Sequence, residues 1–280
     1  MKVKFFCPRW GCENLSWDNF LVNVKNEGYD GIEYGIANET TKDELEKTWE
    51  KIDEHQLEVI PQHYGTYDAD FNKHYDRYAA WLELVKPFPA AKIDSQTGKD
   101  FFSFEQNKQL IDLAVKHTED CGVDVYHETH RNKFPFAAHI TKEYLARIPY
   151  LKITLDASHW VNVAESFLED QSEAMDLAIQ RTEHIHARVG YPEGPQVPDP
   201  RAPEWKDALN AHIKWWDRIV NRKKIEDPDS VITITPEFGP YPYMVHLPYV
   251  ESPIASQWEI NKFMKDILKE RYNSLSILPN

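Results

Sequence analysis

The feature that most limits the possible folds is an alternation of strand and helix patterns along nearly the whole chain. Short apolar stretches typical of buried strands recur eight times, and amphipathic stretches lie between and after them. Strict alternation predicts parallel strands that are joined by right-handed helical crossovers. The predicted strands cover residues 2–6, 31–34, 58–62, 90–94, 123–128, 152–156, 184–188 and 231–237.

The predicted helices carry their own start and stop signals. Thr41 stands three residues before Glu44, and Ser103 stands three before Gln106, which is the spacing of a capping box. Gly122 follows a helical pattern at the point where a left-handed C-cap is expected. The predicted helices cover residues 15–27, 41–55, 69–85, 103–120, 141–147, 167–181, 204–222 and 255–271.

The number of repeated units favours closure of the sheet. Eight strand–helix units in 280 residues suit one (β/α)8 barrel. The alternative is an open, doubly wound sheet, which should have a glycine-rich phosphate loop after its first strand. The loop from Pro8 to Glu13 has only Gly11 and does not fit that pattern. The sequence therefore predicts an α/β fold, a single-domain TIM barrel that spans residues 1–280.

Composition and charge argue against several classes of partner. The formal net charge of −14 would repel a phosphate-rich polymer, so we expect no nucleic-acid binding. No apolar run approaches the length that a membrane span needs, and the first residues lack the pattern of a signal peptide. Three cysteines are too few for a disulfide framework in a chain of this length, which favours a cytoplasmic protein.

Polar side chains end the last four predicted strands. In a barrel of this kind the active site forms at the carboxyl ends of the strands. Because side chains alternate along a strand, Thr233, Thr235 and the final glutamate of the eighth strand share the interior face. The four strand-end residues are Glu128, Asp156, His186 and Glu237.

Three carboxylates and one imidazole on one rim would repel each other unless a cation lies between them. Mostly oxygen ligands with one nitrogen suit Mn²⁺, Mg²⁺ or Co²⁺, and Zn²⁺ is a further option. Each residue alone also has a structural interpretation: Asp156 as a helix cap or an ion-pair partner, and Glu128 as a partner of Arg131. Their joint occurrence on successive strands favours one divalent metal ion.

Several short runs around these residues resemble the xylose isomerase-like superfamily of TIM barrels. This superfamily contains sugar (phosphate) isomerases and epimerases and the family 2 AP endonucleases. The similarity extends from the second strand to the eighth. The runs that carry it are Gly31-Ile32-Glu33, His127-Glu128-Thr129-His130, Asp156-Ala157-Ser158-His159, His184-Ile185-His186 and Pro236-Glu237-Phe238-Gly239.

The resemblance implies roles for individual residues. It implies a metal ion held by the four strand-end residues, with Glu128 and Glu237 also acting as the catalytic acid and base. The residues expected to bind substrate are His159, Arg188, His63 and Glu33, together with Trp10 and His130 near the strand ends.

The nuclease branch of the superfamily fits less well. It needs a histidine at the end of the fourth strand, where this chain has Ile93-Asp94-Ser95-Gln96. It also needs an Asp-x-His motif after the seventh strand, where this chain has Asp199-Pro200-Arg201. Both departures remove metal ligands, so an AP endonuclease is not expected.

The resulting hypothesis is isomerisation or epimerisation of a small sugar or keto-sugar through a metal-stabilised enediolate. The alternatives are a metal-dependent lyase or hydrolase that acts on a keto-glycoside, and a sugar-binding barrel without catalysis. No glycine-rich phosphate nest is visible, which favours an unphosphorylated carbohydrate as the small-molecule partner. The proline-rich segment 190–203 is expected to close over the substrate with Tyr191, Gln196 and Arg201, and a homo-oligomer is left open.

Overall fold

The computed structural model describes residues 1–274 and forms a closed barrel of eight parallel strands in sequence order. The first strand pairs with the eighth, which closes the ring. The predicted TIM barrel is thus confirmed. The barrel strands are β1 (Lys2–Pro8), β2 (Gly31–Gly35), β3 (Glu58–His63), β4 (Ile93–Ser95), β5 (Val125–Glu128), β6 (Ile153–Leu155), β7 (Thr182–His186) and β8 (Val231–Thr235); β9 (His246–Leu247) and β10 (Ser252–Pro253) form a separate hairpin.

Helices surround the barrel, and their caps follow the sequence signals. Capping boxes form at Thr41 and at Ser103, and Gly122 ends its helix with a φ of 75°. These positions confirm the expected starts and stop. The helices are α1 (Trp17–Asn26), α2 (Lys42–Glu54), α3 (Phe71–Val85), α4 (Phe104–Cys121), α5 (Ala138–Arg147), α6 (Ala157–Ala164), α7 (Ser172–Arg181), α8 (Lys206–Glu226) and α9 (Gln257–Ser274).

The core lies between the strands and the helices, with a second, polar set of side chains inside the barrel. On β8, Ile232 and Ile234 are fully buried in the apolar core. The intervening Thr233 turns inward, where its hydroxyl lies 2.7 Å from Nδ1 of His184. This alternation confirms the expected inward face of β8 and fixes which residues can reach the barrel mouth.

Helix α6 was not predicted, because the sequence pattern indicated a single helix over 167–181. Residues Ala157 to Val161 of this helix are all buried, so it lacks the polar face that gives an amphipathic pattern. The helix begins directly after Asp156, whose side chain accepts a hydrogen bond from the backbone N–H of Ser158. Asp156 is therefore a helix cap as well as a strand-end residue.

Several predicted strands extend further than the observed ones. The hydrogen-bonded ladder of β8 ends at Thr235, since Pro236 has no N–H to donate, and Glu237 lies beyond it. Similarly, β6 ends before Asp156, and β7 ends before Arg188. The site residues thus stand just after the strands, where the side chains no longer alternate strictly.

An ion-pair network closes the amino-terminal end of the barrel. The Glu183 carboxylate lies 2.5 Å from Nζ of Lys223 and 3.5 Å from both Arg222 and Lys152. Buried Lys92 donates to the backbone carbonyl of Glu183 at 3.0 Å. Charged groups at this end are therefore paired with one another. Within residues 1–274, no helix combines the length and apolar character that a bilayer crossing requires.

Candidate metal centre

Four side chains from the carboxyl ends of the last four barrel strands meet in one buried cluster. One ligand atom from each of Glu128, Asp156, His186 and Glu237 lies within 4.8 Å of the others. All four residues are buried, and they are the four that the sequence singled out. The structure thus brings the predicted ligands together, while their binding of a metal stays a prediction.

His186 is held so that one ring nitrogen faces the cluster. Its Nε2 lies 2.9 Å from Oε1 of Glu33, and the other oxygen of Glu33 lies 3.2 Å from Nε2 of His184. With its Nε2–H donated to Glu33, His186 presents Nδ1 at 3.0 Å from Glu237 and 3.5 Å from Glu128. A carboxylate behind a histidine in this way fixes the tautomer of a metal ligand.

Glu128 is buried, and no described residue donates a hydrogen bond to its carboxylate. The interpretation of Glu128 as a partner of Arg131 is wrong, because Arg131 instead contacts His159 and Asn162. Burial, together with the charges of Glu237 and Asp156, raises the pKa of Glu128 to about 7 despite the opposing effect of His186.

Asp156 and Glu237 are better supported. One oxygen of Asp156 accepts from Ser158, and the other forms an ion pair with the guanidinium of Arg188. Glu237 accepts a hydrogen bond from Nε2 of Gln62 at 2.9 Å, across the barrel interior. Burial favours the neutral form of Glu237, but His186 and Arg188 outweigh this and lower its pKa. Both groups are thus oriented before any ligand binds.

The donor set fits a divalent cation. Two members of the cluster have polar atoms without hydrogen bonds to the described residues, namely both oxygens of Glu128 and Nδ1 of His186. Burial lowers the pKa of His186, yet the surrounding carboxylates raise it well above its ordinary value, which shows how strongly the cluster favours positive charge. A cation among these donors would satisfy the orphaned atoms and offset the carboxylate repulsion.

His159, a predicted substrate contact, lies beside this cluster between two arginines. Its Nδ1 is 3.1 Å from Nε of Arg131, and its Nε2 is 2.8 Å from a terminal nitrogen of Arg188. Burial, His130 and the two arginines lower the pKa of His159 well below its ordinary value. A neutral imidazole accepts at one nitrogen only, so only one of these two contacts can be a hydrogen bond donated by an arginine. The ring of His130 lies 4.0 Å from that of His159.

Two aromatic rings border Arg188 at the same rim. The ring of Tyr243 lies 4.7 Å from the Arg188 guanidinium and 5.2 Å from the ring of Trp10. Trp10 passes directly over Gly239, where an added Cβ would lie 2.1 Å from the indole. The missing side chain at position 239 therefore permits the position of Trp10, next to the candidate ligands.

Two other predicted substrate residues have contacts of their own. Both oxygens of Glu33 bind imidazoles, which makes it a positioning residue for His186. His63 is fully buried, with its ring nitrogens 2.8 Å from Oγ1 of Thr66 and 3.3 Å from Oγ of Ser95. His63 does not join the cluster, and a direct contact of either residue with substrate stays a prediction.

The segment 190–203 is ordered and attached to the rim. Gln196 forms two hydrogen bonds with the backbone of Gly239, at 2.8 and 3.2 Å, two residues after Glu237. Tyr191 packs on Trp205, and Arg201 pairs with Asp199. Gln196 therefore lies at the site, whereas closure of the segment over a substrate stays a prediction.

Sequence reasoning missed several groups at the centre. Asp94 is fully buried. Neither of its carboxylate oxygens has a hydrogen bond to a described residue, and one of them lies 3.9 Å from Nε2 of His186. Gln62 and Tyr243 were missed as well. An acidic residue in the middle of a short buried strand is a usable signal for Asp94, because carboxylates are rarely buried without a reason. No comparable signal marks Tyr243, which lies in an irregular segment.

The fold was compared with known proteins. A D-psicose 3-epimerase with D-tagatose, from Clostridium cellulolyticum H10, has a TM-score of 0.60 and 12% identity over 98% of this chain and 99% of that one. The probable 3-DHS dehydratase AsbF from Bacillus anthracis has a TM-score of 0.57 and 18% identity over 96% and 99%. Both likenesses are likenesses of fold, that of a (β/α)8 TIM barrel.

A third solved structure has the same fold. It is a sugar phosphate isomerase/epimerase from Parabacteroides distasonis ATCC 8503, with a TM-score of 0.56 and 12% identity over 95% of this chain and 93% of that one. No family model matches the sequence. No curated protein matches it either. At these identities the likeness extends to the fold, and the chemistry must be argued from the site.

Proposed function

We propose that this protein is a metal-dependent isomerase or epimerase that acts on a small sugar or keto-sugar. The observation that carries the proposal is the buried cluster of Glu128, Asp156, His186 and Glu237, in which both oxygens of Glu128 and Nδ1 of His186 lack hydrogen bonds to the described residues. The proteins of similar fold include a D-psicose 3-epimerase and a sugar phosphate isomerase/epimerase, which agrees with this chemistry.

These four residues would hold one divalent cation. When bound, such an ion polarises a carbonyl group and stabilises negative charge on adjacent substrate oxygens. Mn²⁺, Mg²⁺ and Co²⁺ suit three carboxylates and one imidazole, and Zn²⁺ is a further option.

The two glutamates supply the proton transfer. Glu128 and Glu237 flank Nδ1 of His186, at 3.5 and 3.0 Å, so a substrate bound at the centre lies within reach of both carboxylates. One glutamate removes a proton from the carbon next to the carbonyl, giving an enediolate. Return of a proton by the other glutamate to the opposite face gives the epimer, and protonation at the neighbouring carbon gives the isomer.

Other rim residues would bind and orient the substrate. The imidazole of His159 lies beside the cluster, and the guanidinium of Arg188 points hydrogen-bond donors toward it. The rings of Trp10 and Tyr243 border the same space and can pack on the apolar face of a sugar. These contacts would also exclude water from the enediolate.

Solvent isotope exchange tests the proposal directly. The protein is loaded with Mn²⁺ and incubated in D2O with a panel of aldoses, ketoses and keto-glycosides. Deuterium that enters a substrate carbon without bond cleavage supports the isomerase or epimerase. Release of an aglycone or of water identifies a lyase instead.

Metal analysis provides the second test. We expect about one metal ion per chain after gentle purification, and a rise in melting temperature on addition of Mn²⁺. Substoichiometric metal together with no thermal response would contradict the metal centre and favour a barrel that binds sugar without catalysis.

A further inference from the structure

Three loops at the carboxyl rim bring two lysines and one tyrosine together. Tyr67 follows β3, Lys99 follows β4 and Lys133 follows β5. The ammonium of Lys133 lies 5.2 Å from the centre of the Tyr67 ring, and that of Lys99 lies 5.5 Å from it. This group, Tyr67 with Lys99 and Lys133, is called the lysine pair below, and it is separate from the four candidate metal ligands.

Neither ammonium group forms a salt bridge with a carboxylate of the described residues. Lys133 is 1% exposed and Lys99 is 4% exposed. Nζ of Lys133 has no hydrogen-bond partner among the described residues. Burial of an ammonium group without a partner is costly, so a fold that retains two of them has a use for their charge or bears their cost for no gain.

The lysine pair stands on a rigid base. Asn107 of α4 accepts from the backbone N–H of Lys99 at 3.3 Å and donates to its carbonyl at 3.0 Å. The backbone N–H of Phe134 donates to the carbonyl of Thr97 at 3.3 Å, which ties the loop of Lys133 to that of Lys99. The two loops are therefore tied together, and both ammonium groups lie within 5.5 Å of the centre of the same Tyr67 ring.

The lysine pair is close to the candidate metal centre but does not form part of it. Lys133 follows Glu128 by five residues, and its backbone N–H donates to the carbonyl of His130 at 3.2 Å. The ring of His130 in turn lies 4.0 Å from that of His159, which is beside the cluster. One small substrate could therefore contact both places.

Tyr67 controls access to the two ammonium groups. Its side chain is 59% exposed, while the lysines that it covers are buried. An exposed side chain changes rotamer quickly, so one rotation would open the lysine pair to a ligand.

We propose that the lysine pair binds an anionic group, a carboxylate or a phosphate, of a substrate whose reacting carbons lie at the candidate metal centre. This inference deepens the proposed function and names the class of its substrate as acidic sugars. Two ammonium groups within reach of one oxyanion give it charge-assisted hydrogen bonds, which are about twice as strong as neutral ones. The lysine pair would thus select against neutral sugars.

Binding of simple anions tests the subsite without any need for catalysis. Melting temperatures of chelator-treated protein are measured with inorganic phosphate, D-gluconate and uncharged sorbitol at matched ionic strength. We expect one or both anions to raise the melting temperature and sorbitol not to do so. A response to gluconate alone assigns the site to carboxylates, and a response to phosphate alone assigns it to phosphoryl groups.

Two variants separate the subsite from general effects of salts. Lys133→Met removes one ammonium and keeps a side chain of similar length, whereas Lys116→Met removes an exposed lysine of α4. We expect the anion response to vanish in Lys133→Met and to persist in Lys116→Met. Equal responses in wild type and Lys133→Met would overturn the proposal.

The ligand-free variant gives an independent readout. Because Nζ of Lys133 has no hydrogen-bond partner among the described residues, Lys133→Met should melt at the wild-type temperature or above it. A clear fall in melting temperature would show that the ammonium stabilises the fold, and would also overturn the proposal.

Turnover sharpens the substrate class once an activity is found. For an acidic sugar, Lys133→Met should lower kcat/KM roughly 10- to 100-fold, the effect of a lost charged hydrogen bond. For the matching neutral sugar kcat/KM should not change. An equal loss for both substrates contradicts the subsite. Failure of the isomerase proposal leaves the binding experiments intact, so the two failures are distinguishable.

Discussion

Two buried lysines lie at opposite ends of the barrel and differ in what surrounds them. Lys92, at the amino-terminal end, donates to the carbonyl of Glu183 at 3.0 Å and lies 4.9 Å from the ring of Tyr126. In contrast, Nζ of Lys133, at the carboxyl rim, has no hydrogen-bond partner among residues 1–274. The ammonium group at the amino-terminal end thus has a hydrogen-bond partner, whereas the one at the carboxyl rim has none among the described residues.

The same contrast holds for the carboxylates. Glu183 pairs with three cations, whereas Glu128 and Asp94 have no hydrogen bond to any described residue. Native folds rarely leave such groups unsatisfied, so each case calls for an explanation. In TIM barrels the amino-terminal face supports stability and the carboxyl face carries function. We therefore expect substitutions at the carboxyl rim to lower activity, and substitutions at the amino-terminal end to lower stability.

The largest expected effect is that of Glu237→Gln at the carboxyl rim. This change removes one acid–base group and should lower kcat/KM roughly a thousandfold at saturating Mn²⁺. The melting temperature should stay near that of wild type. Exposed Glu119→Gln is the matched control and should retain full activity. Activity near wild type in Glu237→Gln would exclude this residue from the chemistry.

At the opposite end, Glu183→Gln should affect stability alone. It leaves Lys223, Arg222 and Lys152 without their common partner, partly relieved by water, at a cost of about 1–3 kcal/mol in the free energy of unfolding. Urea denaturation measures this loss. The kcat/KM of the folded variant should equal that of wild type. Lost activity at unchanged stability would break the contrast between the ends.

The sequence was sufficient for the fold and for the four candidate ligands, for different reasons. The fold followed from the alternation of two periodicities, which any parallel barrel must show. Glu128, Asp156, His186 and Glu237 could be selected because each ends a strand, and strand ends converge on one rim.

The remaining groups depend on contacts that no local pattern encodes. Lys133 and Tyr243 lie in irregular loops, so the sequence alone did not indicate that either reaches the rim. Helix α6 lacked an amphipathic pattern because it is buried on several sides. Glu33 was expected to touch substrate, but its partners are two histidines that lie more than 150 residues away.

A smaller effect is expected from Glu33→Gln, which acts through His186. The amide retains one hydrogen-bond acceptor but loses the charge that holds both imidazoles. Loss of such a supporting carboxylate typically lowers metal affinity about 10- to 100-fold. Titration of chelator-treated protein with Mn²⁺ measures this, and saturating metal should restore most of kcat. Unchanged affinity would mean that Glu33 has only a structural role.

The last prediction concerns how the contribution of Lys133 to stability depends on pH. Burial lowers its pKa in the folded protein to about 7 from 10.5. Between these values the unfolded chain binds more protons than the folded one, so the contribution of Lys133 to stability rises with pH. Lys133→Met should therefore exceed wild type in stability near about pH 6, with a smaller advantage near about pH 9. Urea unfolding at both pH values checks this, and a constant difference would contradict it.

Gln62, in β3, donates a hydrogen bond to Glu237, which follows β8, and the two residues lie 175 positions apart in sequence. Because so long a loop must close before this contact forms, we expect the centre to be assembled late in folding. In a refolding experiment, uptake of Mn²⁺ should consequently lag behind the recovery of helical circular dichroism. The time course of Mn²⁺ uptake would then show when the first and last parts of the barrel come together.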